Sequence, residues 1–212
     1  MNKPAPSDEQ QQACRAYVYQ ALSAMYYAPT AEFARLLEKL PETLQQSYPE
    51  LAPYAQDLLS EFQGQPEDLT DLTLEHTRLF VGPNTLVAAP YGSVYLEEGR
   101  KIMGDTTMKA LEHYRALGLK ANNEIKQPPD FIATELEFMY FLIHCHLQTG
   151  EEEFLVRQAA FLDQHPGMWV EAFCEAIDSG TDADFYRLLA AATRTFIVAD
   201  QDYLRQLRLD EE

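Results

Sequence analysis

Basic residues are scarce in this chain. Its 212 residues include 16 lysines and arginines against 34 aspartates and glutamates, which gives a formal net charge of −18 at pH 7. A surface this negative repels the phosphate backbone of nucleic acids and the anionic head groups of lipids. The composition therefore argues against nucleic acid and membrane surfaces as partners, and it favours a cationic peptide.

Cysteines and long apolar stretches are also few. The three cysteines, Cys14, Cys145 and Cys174, are odd in number and show no CxxC spacing, which disfavours a secreted disulfide framework or a zinc site. The N-terminal stretch MNKPAPSDEQQQ is polar, so the sequence predicts neither a signal peptide nor a membrane span. These absences predict a cytoplasmic protein with reduced thiols and no stable membrane insertion.

Alternating runs of β-branched residues between turn signals are missing as well, whereas apolar residues recur at helical spacing almost throughout. Ser7 and Gln10 are spaced as a capping box at the start of the first helix, and Pro41 is predicted to stop the second. Gly118 and Gly150 are placed to end two later helices in the left-handed conformation. The sequence predicts about nine helices in a single all-α domain that spans residues 1–212.

One helix is apolar on nearly all sides, which predicts a place at the centre of the fold. It is FIATELEFMYFLIHCHLQT, and Asp130, which follows two prolines, is predicted to start it. A second unusual segment precedes it. The stretch LFVGPNTLVAAPYGSVYLEEGRKIMGD contains two prolines and four glycines and has no clear helical or strand pattern. Since long loops of this kind are usually functional or disordered, the sequence predicts a long functional loop near residues 82–104.

Motifs for metal, nucleotide or catalytic chemistry are not found. His144 and His146 lie two residues apart on a helix, so they point about 200° from each other and cannot share one ion. Glu135 and Glu137 are not followed by histidine three residues later, as a di-iron helical bundle requires. The glycines of the loop match neither a dinucleotide-binding motif nor a P-loop. The sequence therefore predicts a binding protein without a cofactor, a metal or catalytic residues, and not an enzyme.

Four blocks, in this order and spacing, resemble the signature blocks of the TorD/DmsD family of redox-enzyme maturation chaperones, to which the NarJ group is related. The blocks are LFVGP at 79–83, PYGSVYL at 90–96, MGDTT at 103–107 and PPDFIATELEFM at 128–139. The resemblance implies an all-α cytoplasmic chaperone. Such a chaperone binds the twin-arginine signal peptide of a molybdenum-cofactor enzyme, often also its apo catalytic subunit, and delays export until the cofactor is loaded.

The resemblance also implies a peptide groove. A twin-arginine leader needs acidic groups for its guanidinium pair and an apolar surface for the stretch that follows. Tyrosines are enriched among residues that dominate binding energy, although Tyr91 and Tyr95 could instead only pin the loop to the helices. The residues implied as groove lining are Leu79, Phe80, Pro90, Tyr91, Tyr95 and Gly104, and those at its charged end are Asp105 and Asp130.

Two positions depart from the family pattern. Phe131 stands where many relatives have a histidine after the aspartate, and Asn84 stands where some relatives have an aromatic residue. Both departures concern contacts with the peptide rather than the fold. Two other functions stay open from the sequence, a nucleotide-dependent switch that would bind guanine nucleotides and a general all-α interaction module. The client enzyme is not specified, and long hinge loops would also permit a homodimer.

Overall fold

The computed structural model describes residues 7–82, 86–119 and 127–210, so Asn84 lies outside the described part of the chain. Within those ranges the chain forms ten α-helices and one π-helical turn, and its β-type pairing is limited to an isolated bridge between Tyr91 and Phe131. The helices are α1 (Asp8–Met25), α2 (Phe33–Ser47), α3 (Ala52–Gln63), α4 (Thr70–His76), α5 (Gly92–Leu96), α6 (Asp105–Ala116), α7 (Ile132–Thr149), α8 (Glu153–Gln164), α9 (Pro166–Gly180) and α10 (Asp184–Asp210), and the π-helical turn is Thr77–Val81. The predicted all-α class is confirmed, and the helix beyond the predicted nine is α5, which lies inside the predicted loop.

Several helix ends follow the signals in the sequence. The Ser7 hydroxyl accepts a hydrogen bond from the backbone N–H of Gln10 at 3.3 Å, and the Gln10 side chain accepts one from the backbone N–H of Ser7 at 3.0 Å. Gly118, after α6, and Gly150, after α7, adopt φ values of 73° and 69°, a region that costs glycine little. The predicted capping box and both glycine stops are therefore confirmed.

The prediction that Pro41 stops the second helix is wrong, because α2 continues through it to Ser47. A proline inside a helix removes one backbone hydrogen bond and costs about 3 kcal/mol. Beyond Pro41, however, the chain buries Leu44 and Tyr48, which are 3% and 4% exposed. Burial of two such side chains contributes about 1.5 to 3 kcal/mol each, which offsets the cost of the proline.

Helix α7 is the central helix, as predicted. It contacts α1, α8 and α9, and Leu136, Met139, Leu142 and Ile143 on it are fully buried. The long α10 packs along α9 and α3, so the described helices share one hydrophobic core. Among the described helices, none combines the length and apolar character needed to cross a membrane.

A buried ion pair joins the two ends of the described chain. Arg15 on α1 and Asp200 on α10 are both fully buried, and the guanidinium donates to the carboxylate through Nε at 2.5 Å and Nη2 at 2.9 Å. The hydroxyls of Tyr19 and Tyr48 donate to the same carboxylate at 2.8 and 3.1 Å. We call these residues, with Gln12 and Gln158, which accept from Arg15, the Asp200 cluster. Because each Asp200 oxygen accepts two hydrogen bonds, the buried charge is well compensated.

Candidate functional site

Two of the sequence blocks that suggested a binding loop lie side by side in the structure. The segment around Pro90 runs antiparallel to the residues that precede α7. The N–H of Ile132 donates to the carbonyl of Pro90 at 2.9 Å, and the N–H of Gly92 donates to the carbonyl of Asp130 at 3.0 Å. Since these residues are some 40 positions apart in the sequence, this pairing fixes where the loop crosses the N-terminal end of α7.

Asp130 has a different role from the predicted helix start. It is fully buried, and α7 begins at Ile132 without a side-chain cap. Its Oδ2 instead accepts a hydrogen bond at 2.7 Å from the N–H of Ser93, in the first turn of α5. Oδ1 has no hydrogen-bond partner among the described residues. The prediction that Asp130 caps the central helix is therefore corrected, since its carboxylate caps α5 from another part of the chain.

Tyr91 and Tyr95 are both half-buried and pack against the hydrophobic core, and the guanidinium carbon of Arg100 lies over the Tyr95 ring at 6.0 Å. The Tyr91 ring lies 5.8 Å from the ring of Phe131, and its hydroxyl donates to Gln127 Oε1 at 3.1 Å. The Tyr95 ring stacks on Trp169 at 5.7 Å and 15°, and burial raises the pKa of both tyrosines. Of the predicted lining residues, these two combine large rings with partial exposure.

Leu79 and Phe80 lie in the core, where they are 0% and 4% exposed. Phe80 packs edge-on against Tyr26 at 6.0 Å and Tyr186 at 5.6 Å, measured between ring centroids. Pro90 is buried as well. In this conformation these predicted groove residues support the loop from beneath, and a peptide would reach them only after the segment moved.

A carboxylate from outside α6 binds the start of that helix, and the sequence patterns did not indicate it. Glu97, just after α5, accepts a hydrogen bond at 2.7 Å from the N–H of Thr106, which lowers the pKa of Glu97. Gly104 sits against this carboxylate, and a Cβ at that position would overlap it. Asp105 is exposed at the first position of α6. The structure therefore does not pair Asp105 with Asp130, because one carboxylate faces solvent and the other is buried.

Three further buried side chains lie beneath the loop. Glu135 on α7 accepts a hydrogen bond at 3.0 Å from the indole N–H of Trp169 on α9. Its other oxygen lies 3.5 Å from Nδ1 of His165, which precedes α9. Burial raises the pKa of Glu135 well above its usual range and lowers that of His165 to about 4. We call Asp130, Glu135, His165 and Trp169 the Glu135 cluster. The available sequence signal was Glu135 itself, an acid within a helix that is apolar on nearly all sides.

The histidines that suggested a metal reading lie elsewhere on α7. His144 is exposed, and Nδ1 of His146 lies 3.1 Å from the carbonyl oxygen of Glu151. Among the described residues, no group of three or more histidine, cysteine, aspartate or glutamate side chains is arranged to hold a metal ion.

A separate acidic cleft of about 610 Å³ opens between α4 and the turn from α9 to α10. None of the predicted site residues lines it. At the edge of the cleft, the Arg78 guanidinium donates a hydrogen bond to the carbonyl of Gly180 and also pairs with Glu75. The charged side chains that line the cleft are Asp71, Glu75, Arg78, Asp178, Asp182 and Arg187.

Comparisons of this chain with known proteins agree on one family. The model of the nitrate reductase delta subunit family matches residues 37–175. The chain is 26% identical over 213 aligned positions to the chaperone protein TorD of Vibrio cholerae strain M66-2, covering 91% of this chain and 93% of the relative. It is 28% identical over 206 positions to TorD of Shewanella sp. strain MR-4, covering 91% and 94%. It is 30% identical over 156 positions to TorD of Vibrio atlanticus strain LGP32, covering 70% and 71%.

The fold is also similar to that of a solved structure. A crystal structure of an Archaeoglobus fulgidus protein named for redox enzyme maturation superposes with a TM-score of 0.57, at 21% sequence identity, and the match covers 86% of this chain and 93% of that one. At this identity the likeness supports the fold alone. The family match covers more than half of the chain, and the relatives it agrees with are named chaperones. The chain therefore belongs to the nitrate reductase delta subunit family, within which it groups with the TorD-type redox-enzyme maturation chaperones.

Proposed function

We propose that this protein is a cytoplasmic chaperone that binds the twin-arginine signal peptide and the apo form of a molybdenum-cofactor oxidoreductase, and so delays export until the cofactor is inserted. Membership of the maturation-chaperone family is the observation that carries the proposal. The proposed action is binding, without a chemical step on the client. A homodimer is compatible with this function but is not required by it.

The apolar part of the leader is proposed to bind over the half-buried rings of Tyr91 and Tyr95, where it would displace Arg100 from its position over the Tyr95 ring. Large aromatic side chains that are rigid on one side and accessible on the other are typical of residues that dominate binding energy. Both rings are backed by other aromatic rings, Phe131 for Tyr91 and Trp169 for Tyr95, so little side-chain freedom is lost when a peptide binds. Leu79, Phe80 and Pro90 support these rings from beneath and would contact the leader only if the segment moved.

The arginine pair of the leader is proposed to bind at the start of α6. Asp105 is exposed there, and Glu98 is exposed nearby in the connection from α5. Arg100 and Lys101 lie in the same connection, so the local charge is mixed rather than uniformly acidic. A net charge of −18 over the whole chain still attracts a cationic peptide at long range.

Isothermal titration calorimetry tests the proposal. The titrants are a synthetic leader with a Ser-Arg-Arg-x-Phe-Leu-Lys head and its apolar stretch, the same leader with Lys-Lys in place of Arg-Arg, and GTP. We expect the arginine leader to bind most tightly, because a guanidinium forms bidentate pairs with carboxylates that an ammonium cannot form. Binding of GTP alone would support a nucleotide-dependent switch instead, and binding of none of the three would leave a general interaction module.

Two variants, each of which removes one negative charge, test where the arginine pair of the leader binds. Asp105→Asn removes the exposed charge at α6, and Asp182→Asn removes one from the acidic cleft. Both replacements are nearly isosteric and lie at exposed positions, so each serves as the control for the other. Weaker binding of the arginine leader by Asp105→Asn alone supports the proposed position. Weaker binding by Asp182→Asn alone would move the charged end to the cleft.

A further inference from the structure

Helix α5 is too short to hold its own position. It has only five residues, and isolated helices of that length are not stable in water. Its first turn is tied to Asp130 through the N–H of Ser93. Its last turn, which carries Tyr95, is followed by Glu97, whose carboxylate is fixed at α6, and it packs on α9 beneath it.

Trp169 is the side chain against which α5 packs. The indole ring is 1% exposed and stacks on the ring of Tyr95. The face of its five-membered ring also lies against Gly92, where a Cβ would be 2.9 Å from the indole nitrogen, closer than real Cβ contacts. A rotation of the indole would therefore push on the start of α5 and carry the Tyr95 ring with it.

Glu135 sets the orientation of that indole. Its Oε2 accepts the indole N–H at 3.0 Å, and both groups are buried, so no bulk water competes for the bond. The neighbouring His165 is 1% exposed and limits where the carboxyl can turn. Because burial disfavours the charged forms of both Glu135 and His165, the carboxyl can serve as a neutral acceptor in this site.

We propose that Glu135 and Trp169 are positioning residues for the peptide site, in which the Glu135 carboxyl holds the indole that places Tyr95 and α5. Only the expected effect of these residues on affinity for the leader rests on the proposed function. The placement of α5 has a measurement of its own, which needs no peptide.

Hydrogen exchange of the α5 backbone amides is that measurement. In Glu135→Leu the indole N–H loses its acceptor, and we expect the amides of α5 to exchange about tenfold faster or more than in the wild-type chain. Glu135→Gln keeps a carbonyl acceptor for the indole, so we expect it to restore protection to near the wild-type rate. A merely structural role would predict faster exchange throughout the core in both variants.

Trp169→Phe is the second variant, in case Glu135→Leu does not fold. It keeps an aromatic ring under Tyr95 but removes the N–H, so α5 should again lose protection. Tyr19→Phe is the matched control, because it removes one buried hydrogen bond from the Asp200 cluster and leaves α5 untouched. Equal protection of α5 in Trp169→Phe and the wild type would overturn the inference.

Affinity for the arginine leader connects the placement to function. We expect Trp169→Phe to bind the leader about tenfold more weakly and Tyr19→Phe to bind within about twofold of wild type. If the wild type binds the leader and Trp169→Phe binds it equally well, the positioning inference fails while the proposed function stands. If the wild type binds no leader but α5 loses protection in Trp169→Phe, the proposed function fails while the placement of α5 by the indole stands.

Discussion

The Asp200 cluster and the Glu135 cluster both bury charged side chains, but they satisfy them to different degrees. In the Asp200 cluster each carboxylate oxygen accepts two hydrogen bonds, and among the cluster's side-chain polar atoms described as buried only Gln158 Nε2 lacks a partner. In the Glu135 cluster, Asp130 Oδ1, Glu135 Oε1 and both ring nitrogens of His165 have no hydrogen-bond partner among the described residues. Fully satisfied buried networks stabilise one arrangement. The first cluster therefore holds α1 and α10 together, and the second lies beneath the proposed peptide site, where Trp169 stacks on Tyr95.

The largest expected effect comes from breaking the Asp200 cluster. Arg15→Met leaves the carboxylate of Asp200 buried without its cation, and we expect the free energy of unfolding to fall by about 3 to 5 kcal/mol. Urea titration followed by circular dichroism measures the change. Arg205→Met is the control, because Arg205 is 55% exposed and forms only surface ion pairs, which contribute less than about 1 kcal/mol. A loss in Arg15→Met no greater than in Arg205→Met would contradict the role assigned to the cluster.

The Glu135 cluster should be recognised by its pH dependence. Burial lowers the pKa of His165 from 6.5 to about 4, so its contribution to stability is present above pH 6.5 and is lost as the pH falls towards 4. A shift of that size corresponds to about 3 kcal/mol. Glu135 acts in the opposite direction, because its raised pKa gives a contribution that is present at low pH and lost as the pH rises through the folded-state pKa. Asp130, His113 and Lys109 also act on these groups.

His165→Asn isolates the histidine from these neighbours. We expect the free energy of unfolding of the wild type to rise more steeply between about pH 4 and 6.5 than that of the variant, with a difference of up to about 3 kcal/mol. Urea titrations at several pH values in that range measure both slopes. If the wild type and the variant show the same slope, the imidazole of His165 does not titrate in this pH range. The Glu135 cluster would then lack the pH dependence that distinguishes it from the Asp200 cluster.

Two half-buried tyrosines give a matched comparison of binding and stability. Tyr91→Ala should weaken binding of the arginine leader by about 1 to 3 kcal/mol with little change in Tm, because the ring is proposed to contact the peptide. Tyr203→Ala removes a ring at the Asp200 cluster, where it lies 4.9 Å from the guanidinium carbon of Arg15, and should lower Tm without weakening binding per folded molecule. Calorimetric titration and thermal unfolding of both variants test this. If Tyr91→Ala lowers Tm, and its loss of affinity is no larger than this destabilisation explains, the Tyr91 ring only holds the loop against the helices.

The smallest effect concerns the exposed charges. Raising the salt concentration from low values to about 0.15 M shortens the Debye length to about 8 Å, so association with the leader should slow by roughly three- to tenfold. Salt also screens the repulsion among the excess negative charges of the folded chain, so the unfolding free energy should rise modestly over the same range. Stopped-flow association rates and parallel urea titrations test the two statements. An association rate that is independent of salt would argue against electrostatic steering.

The sequence predicted most of the helices because their start and stop signals are local. The Ser7 capping box and the stop at Gly150 depend on residues within one turn, and both are confirmed. Pro41 misled the prediction because burial further along α2, which depends on tertiary packing, outweighed the local signal. Helix α5 was missed because five residues carry too little periodicity to be recognised.

The site was less predictable than the fold. The resemblance pointed to Tyr91 and Tyr95, and the structure gives both rings partial exposure, but their contact with a peptide stays a prediction. The roles of Asp130 and Glu97 could not be predicted, because each carboxylate caps a helix that it does not itself begin. Such caps depend on how separate segments meet, and helical periodicity contains no information about that.

Glu97 has a consequence for protein engineering. Its backbone N–H donates to the carbonyl of Ser93 in α5, and its carboxylate accepts the N–H of Thr106 in α6. One residue therefore fastens both ends of the excursion at 98–104. Gly104 must stay small to leave room for the carboxylate, and Gly99 adopts a φ of 83°, a conformation that would strain a side chain. An exchange of residues 98–103 with those of related chaperones that keeps a glycine at 99 would give chimaeras that retain the helices and present a different rim to the client.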